Sequence, residues 1–300
     1  MEGEHDAMTE HSFGGPWTDD KLKRLDRYLV QYRQIFTENE RAKHLKTWYV
    51  DAFAGTGSRT KKDDPNETQY LFPEVYDDIG TIEYKDGSAQ IALKLARPFD
   101  GYLFIDKQKS RVIELEATVK RDYPDLHSRC VFEPGDANQL LKAWCVKRNW
   151  RAERAVVFLD PYGMQVNWDT IEMLAKTKAV DLWYLFPLPT RLLTQDGKIE
   201  ESWKNRLDLL FGTNKWRTRF YQVNTTQDLF GDRETVERTA TLERIEAFIH
   251  ERLAGCFVKV AKGLVLWNSR SSPLYLLCFA SANEKGAPTA LKIAQHILSQ

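Results

Sequence analysis

The stretch Val156-Val157-Phe158-Leu159-Asp160-Pro161-Tyr162-Gly163 decides how this chain is read. Four large apolar residues in a row fit a strand buried on both faces, the habit of parallel sheets covered by helices. The run ends in an acid, a proline, an aromatic and a glycine. Proline fixes φ and has no N–H to give, so the Asp160 carboxylate and the carbonyls of the turn stand ready to accept hydrogen bonds. Tyr162 can stack on a planar ring or donate through its hydroxyl. Taken alone, the four residues also describe an ordinary β-turn.

Outward from this strand, apolar runs alternate with helical spacings. Upstream, Thr47 to Phe53 reads as a strand ended by Ala54-Gly55-Thr56-Gly57; Tyr102 to Ile105 as a strand ending at Asp106; and Cys130 to Phe132 as a short strand before Gly135-Asp136. Downstream, Val180 to Phe186 is another buried strand. Ser88 caps a helix to about Ala96, and further helices are predicted over 108–121, 138–147 and 168–176. The expected fold is therefore α/β, a Rossmann-like, mostly parallel, doubly wound sheet. Ligands bind such sheets beyond the carboxyl ends of the strands, where Asp51, Asp106, Asp136 and Asp160 lie.

The alternation stops after Phe186. A helical, polar insertion is expected over about 187–255, then a terminal antiparallel hairpin from segments 257–265 and 274–280, then a last helix over about 289–298. Ahead of the first strand, a tail and helical arm occupy 1–46, the helix capped by Asp19 or Asp20 and reaching Phe36 with Leu22, Leu25, Leu29 and Tyr32 on one face. Residues 47–300 form the main domain. It is interrupted by a polar insertion over about 58–87 that carries eight acids against Arg59, Lys61, Lys62 and Lys85. Loops of that length are functional or mobile.

Composition narrows the classes. The 300 residues carry 43 basic and 43 acidic side chains, so any binding of nucleic acid needs a local basic patch. Cys130, Cys145, Cys256 and Cys278 form no CxxC pair and read as free thiols of a reducing compartment. The histidines show no metal-ligand spacing, and no structural metal is expected. The N-terminus lacks the apolar core of a signal peptide, and no apolar run reaches the length of a membrane span. A cytoplasmic protein is the expectation.

The glycine turn after the first strand lets a ligand approach the backbone without meeting Cβ atoms. Asp51, Phe53, Ala54, Gly55 and Gly57 are its candidate cofactor contacts. Asp106, with Lys107 beside it, is placed to accept from a ribose diol. Asp136, with Ala137, is placed to accept from an adenine amino group, and equally to cap the following helix. A dinucleotide fingerprint would need glycine where Thr60 stands, and no GxxxxGK[ST] stretch exists.

This order of acids and glycines resembles the class I S-adenosylmethionine-dependent methyltransferases. Asp51-x-Phe53-x-Gly55-x-Gly57 looks like the glycine motif of amino-methylating nucleic-acid enzymes, and Asp160-Pro161-Tyr162-Gly163 like their Asp/Asn-Pro-Pro-Tyr/Phe motif. The departure is Tyr162 in the third position and Gly163 in the fourth, where a base-stacking aromatic usually stands. An Asp-Pro-Phe-Gly version occurs in tRNA guanine-N2 dimethyltransferases.

More closely, the chain resembles the bacterial three-Cys-motif partner family. Lys23, Leu25, Tyr28 and Tyr32, the stretch Tyr49 to Gly55, Gly87-Ser88, Leu159 to Gly163 and Leu274 to Ala280 carry the resemblance. It implies S-adenosyl-L-methionine as cofactor, Asp160, Pro161, Tyr162 and Gly163 as the catalytic turn, and a partner protein with a three-cysteine motif of radical S-adenosylmethionine or iron–sulfur type.

A nucleic-acid substrate would draw on Lys204, Arg206, Lys215, Arg217 and Arg219. These stand against Asp208 alone, with Trp216, Phe220 and Tyr221 interleaved. A solvated helix face over core aromatics gives the same pattern. The open alternatives are a methyltransferase of a protein or small molecule, and a cofactor-binding interaction module without catalysis.

Overall fold

The computed structural model describes residues 16–56, 87–228, 231–268 and 270–300. Gly57, the tail before Pro16 and residues 58–86 of the acidic insertion lie outside them.

The elements in chain order are α1 (Pro16–Glu38), β1 (Lys46–Asp51), α2 (Ser88–Leu93), β2 (Gly101–Asp106), α3 (Lys109–Asp122), α4 (Pro124–His127), β3 (Cys130–Pro134), α5 (Ala137–Lys147), β4 (Glu153–Leu159), α6 (Trp168–Lys176) and β5 (Val180–Pro187). They continue with α7 (Glu201–Phe211), α8 (Trp216–Phe220), β6 (Tyr221–Asp228), β7 (Gly231–Arg238), α9 (Leu242–Ala254), β8 (Lys259–Val260), β9 (Leu264–Trp267), β10 (Pro273–Ser281) and α10 (Ala287–Leu298).

The large sheet runs β3-β2-β1-β4-β5-β10, with β8 and β9 both on the outer edge of β10. The first five strands are parallel, and β10 is antiparallel to β5. This is the mostly parallel, doubly wound Rossmann-like arrangement expected from the alternation, with the antiparallel hairpin β9–β10 closing it. Helices cover both faces because the central strands are apolar on both. Val157 and Leu159 of β4 pack with α5, α6, α7 and α9, while Val156 and Phe158 pack with α1, α2, α3 and α10.

Two expectations change. First, α1 is no appended arm. Leu25, Tyr28, Leu29 and Tyr32 are almost wholly buried in the core beneath the sheet, each burial contributing roughly 1.5–3 kcal/mol. The helix also starts earlier than predicted, at Pro16, since proline fits the first helical turn; Asp20 pairs with Arg24 at 3.0 Å. Second, the insertion over 187–255 is not helical throughout. β6 and β7 form a separate two-stranded antiparallel ribbon. Its sequence hides it, because its described positions show no buried apolar face: Val223 and Val236, paired across it, are exposed, as are Gln222 and Glu237.

Cys145 and Cys278 are buried, Cys130 and Cys256 half-buried, and all four are free thiols. Among the described residues no cluster of side chains suits a metal ion, and no helix is long and apolar enough to cross a membrane.

Candidate functional site

The register of the parallel strands sets the site. Asp51 pairs with Phe104 on one side and Phe158 on the other. Asp106 and Asp160 each follow two residues later, so both flank Asp51 at the same carboxyl edge. Asp106 in turn pairs with Pro134, which places Asp136 just beyond it. The four acids therefore line one edge in the order Asp136, Asp106, Asp51, Asp160. The strand alternation turns Asp51 to the face of Tyr49, the face that α1 and α2 cover.

Asp51 is fully buried and bonded on all sides. The Ser88 hydroxyl donates to it at 2.5 Å, the Tyr49 hydroxyl at 3.3 Å and the Phe53 N–H at 3.3 Å. Burial raises its pKa to about 7, and the nearby Asp160 charge adds to the rise. Ser88 thus serves Asp51 rather than capping α2, whose N-cap is Gly87. The clasp ties the end of β1 to the start of α2.

Asp106 holds the glycine turn. One carboxylate oxygen accepts the Gly55 N–H at 3.1 Å, and the other the Gln108 N–H at 2.8 Å. Arg111 stands 3.9 Å away. Burial raises the pKa of Asp106 as well. Ala54 N–H donates to the Ile105 carbonyl at 2.9 Å, closing the turn onto β2. Gly55 has φ +60, and among the described residues, its chain neighbours aside, no atom lies within 4 Å of where a Cβ would sit. The left-handed conformation is what favours glycine there. Phe53 is half-buried beside the turn and Lys107 is exposed.

Asp136 caps α5, accepting the Gln139 N–H at 3.0 Å; Ala137 is buried at the first turn. Asn138, which the sequence gave no reason to single out, fastens α5 to the segment after Asp160-Pro161-Tyr162-Gly163. Its amide donates to the Gln165 carbonyl at 2.9 Å, and its carbonyl accepts from Asn167 N–H at 2.8 Å and the Thr170 hydroxyl at 2.9 Å. Gly163 has φ +75. A left-handed backbone explains why glycine, not an aromatic, stands fourth in the turn.

Sequence reasoning also missed Lys21 as a residue of the site. Its ammonium lies 2.5 Å from Asp160 Oδ2, with the lysine side chain fully buried. A signal existed. Lys21, Leu25, Tyr28 and Tyr32 follow a 4-3-4 spacing, so Lys21 lies on the buried stripe of α1.

The basic segment is corrected in part. Trp216 and Phe220 are core residues, 1% and 0% exposed, and cannot stack on bases. Lys204 pairs with Glu201 at 3.2 Å, Arg217 with Asp208 at 2.9 Å, and Arg219 with Glu251 at 2.6 Å. Arg206 donates to the Asn167 side chain at 2.8 Å, and burial lowers its pKa. Lys215 is exposed at the start of α8.

No family model matches the chain, and no curated protein matches it. Solved structures do. A Legionella pneumophila protein is 14% identical, with 82% of this chain and 94% of that one covered and a TM-score of 0.40. A Listeria monocytogenes structure described as a putative S-adenosylmethionine-dependent methyltransferase is 12% identical over 88% of this chain and 99% of that one, at 0.38. The magnesium protoporphyrin IX methyltransferase of Synechocystis, solved with bound SAH, is 12% identical over 94% and 90%, at 0.36. Likeness at these TM-scores decides nothing about this chain's activity.

Proposed function

We propose that the chain is an S-adenosylmethionine-dependent methyltransferase acting on an amino group. The observation that carries the reading is the Asp106 carboxylate bonded to the Gly55 N–H beside an open glycine turn, with Asp51 and Asp160 at the adjoining strand ends. The residues fit the cofactor. Asp106 keeps lone pairs for ribose hydroxyls, Gly55 admits the ligand against bare backbone, and the acidic edge suits a cation. Phe53, Ala54, Gly57, Lys107, Asp136 and Ala137 complete the proposed cradle.

When bound, S-adenosylmethionine supplies a methyl group on a positively charged sulfur. The chain's own part is to orient the acceptor and take charge away from it. An aromatic amine is a poor nucleophile because its lone pair is drawn into the ring. Asp160 and a carbonyl of the turn accept its N–H bonds and localise that pair, while Pro161 and Gly163 fix the turn and Tyr162 flanks it. Correct placement is itself a large part of such catalysis.

The turn's likeness to amino-methylating enzymes supports a nucleic-acid base as acceptor, with Lys204, Arg206, Lys215, Arg217 and Arg219 as phosphate contacts and a three-cysteine-motif protein as partner. A second reading, a protein or small-molecule amine, is favoured by the acidic partners of Lys204, Arg217 and Arg219.

Calorimetry with S-adenosylmethionine, S-adenosylhomocysteine and NAD tests the cofactor: saturable binding of the first two and none of the third is expected, and the reverse refutes the reading. Tritiated methyl transfer to RNA, to protein and to small amines then separates the acceptors, and nucleic-acid transfer should weaken steeply with salt.

A further inference from the structure

We propose that Lys21 is a positioning residue of the site, the buried cation that pairs with the Asp160 carboxylate at the end of β4 and sets the charge met by any group docking there. The inference rests on the cofactor reading above.

The geometry is directional. The Lys21 side chain is 0% accessible and that of Asp160 is 16%, with 2.5 Å between ammonium and carboxylate. The lysine thus meets the carboxylate from the α1 side, and the Asp160 side chain keeps a small exposed share. Taking the carboxylate away from a buried ammonium costs several kcal/mol, so the two groups are coupled. The helix that carries Lys21 is fastened along its length. The Tyr28 hydroxyl donates to Asp181 at 2.8 Å, Arg24 donates to the Ile297 carbonyl, and Arg33 to the Thr47 hydroxyl. Withdrawing the ammonium means dislodging the helix from the core. Lys21 is therefore a fixed element of the site, not a gate.

The site has a use for it. Asp51, Asp106 and Asp160 crowd adjacent strand ends, and the Asp160 charge is felt at Asp51. An ammonium on Asp160 offsets part of that repulsion and still leaves a carboxylate to accept N–H bonds.

The test uses two ligands that share adenosine and the amino-acid tail but differ at the methyl position. S-adenosylhomocysteine has neutral sulfur there, and sinefungin has an amine-bearing carbon. The quantity read is the ratio of their dissociation constants by calorimetry, at fixed pH and salt. Lys21→Met should raise the preference for sinefungin about tenfold, because loss of the buried cation beside Asp160 makes that carboxylate more attractive to an ammonium. Lys21→Arg should keep the ratio within about twofold of wild type. A structural role alone would move both affinities together and leave the ratio alone. Asp160→Asn supplies the opposite arm and should lower the preference by a similar factor, even if Lys21→Met fails to fold. An unchanged ratio in Lys21→Met or in Asp160→Asn overturns the proposal while the cofactor reading stands. Failure of both ligands to bind wild type overturns the cofactor reading, and this proposal with it.

Discussion

Replacing Asp51 by asparagine should stabilise the protein, and only above mildly acidic pH. Asp51 is buried, with its pKa raised from 3.8 to about 7 chiefly by desolvation. In the unfolded chain the group ionises near its ordinary value. A carboxyl whose folded pKa is raised contributes stability that is fully present below about pH 4 and is lost as pH rises through about 7. The displacement of about 3 units corresponds to about 4 kcal/mol between those limits. Asparagine fits the same space without the charge. Its carbonyl can keep the Phe53 N–H, and the Tyr49 and Ser88 hydroxyls can turn from donating to accepting. Urea denaturation of wild type and Asp51→Asn at pH 4.5 and pH 8 checks this. The variant should gain up to about 4 kcal/mol on wild type at pH 8, and little at pH 4.5. Equal stability at both values, or a loss that grows with pH, would refute the account of Asp51 as a neutral acid in the folded state.

Asp106→Ala should weaken S-adenosylhomocysteine binding about ten- to hundredfold, the loss of charge-assisted bonds; an unchanged calorimetric constant would remove Asp106 from the cradle. Tyr28→Phe should cost about 1.5–3 kcal/mol in urea, because it strips a donor from buried Asp181. The pKa of Asp181 is raised to about 6, mainly by burial. Its own contribution is therefore present below about pH 4 and lost through about pH 6, and the Tyr28→Phe cost should be largest above that range. Gly212→Ala puts a Cβ 2.3 Å from Trp168 at φ +64. It should destabilise by about 2 kcal/mol or more, and a neutral result in the same assay would contradict the packing of α7 against α6.

How much was legible in the sequence follows from what each element buries. β4 and β5 are apolar on both faces, so their runs announced a covered parallel sheet, and the acids at the strand tips fall together on its carboxyl edge. The β6–β7 ribbon was illegible because, among its described positions, residues on both faces are exposed, Gln222 and Glu237 on one and Val223 and Val236 on the other. Lys21 was overlooked because Lys23 and Arg27 on α1 are exposed, and one cation among several gives no sign of which way it faces until the helical stripe is counted. The Asp51–Ser88 clasp joins residues 37 positions apart across the acidic insertion, a pairing that no local pattern encodes. Asp136 and Gly163 show the reverse case. Their types followed from backbone demands, a helix end and a left-handed turn, which a single sequence cannot tell apart from demands made by a ligand.

The outer edge of the sheet has a consequence for how copies of the chain meet. β8 and β9 share the free side of β10, and the register gains one residue between Val260–Ala280 and Leu264–Leu277. A second irregularity falls at Pro273 to Tyr275. A border broken into two-residue and four-residue pieces presents no long row of unpaired amides for a neighbour to zip onto. On this side the sheet gives a neighbouring chain no ready template to extend.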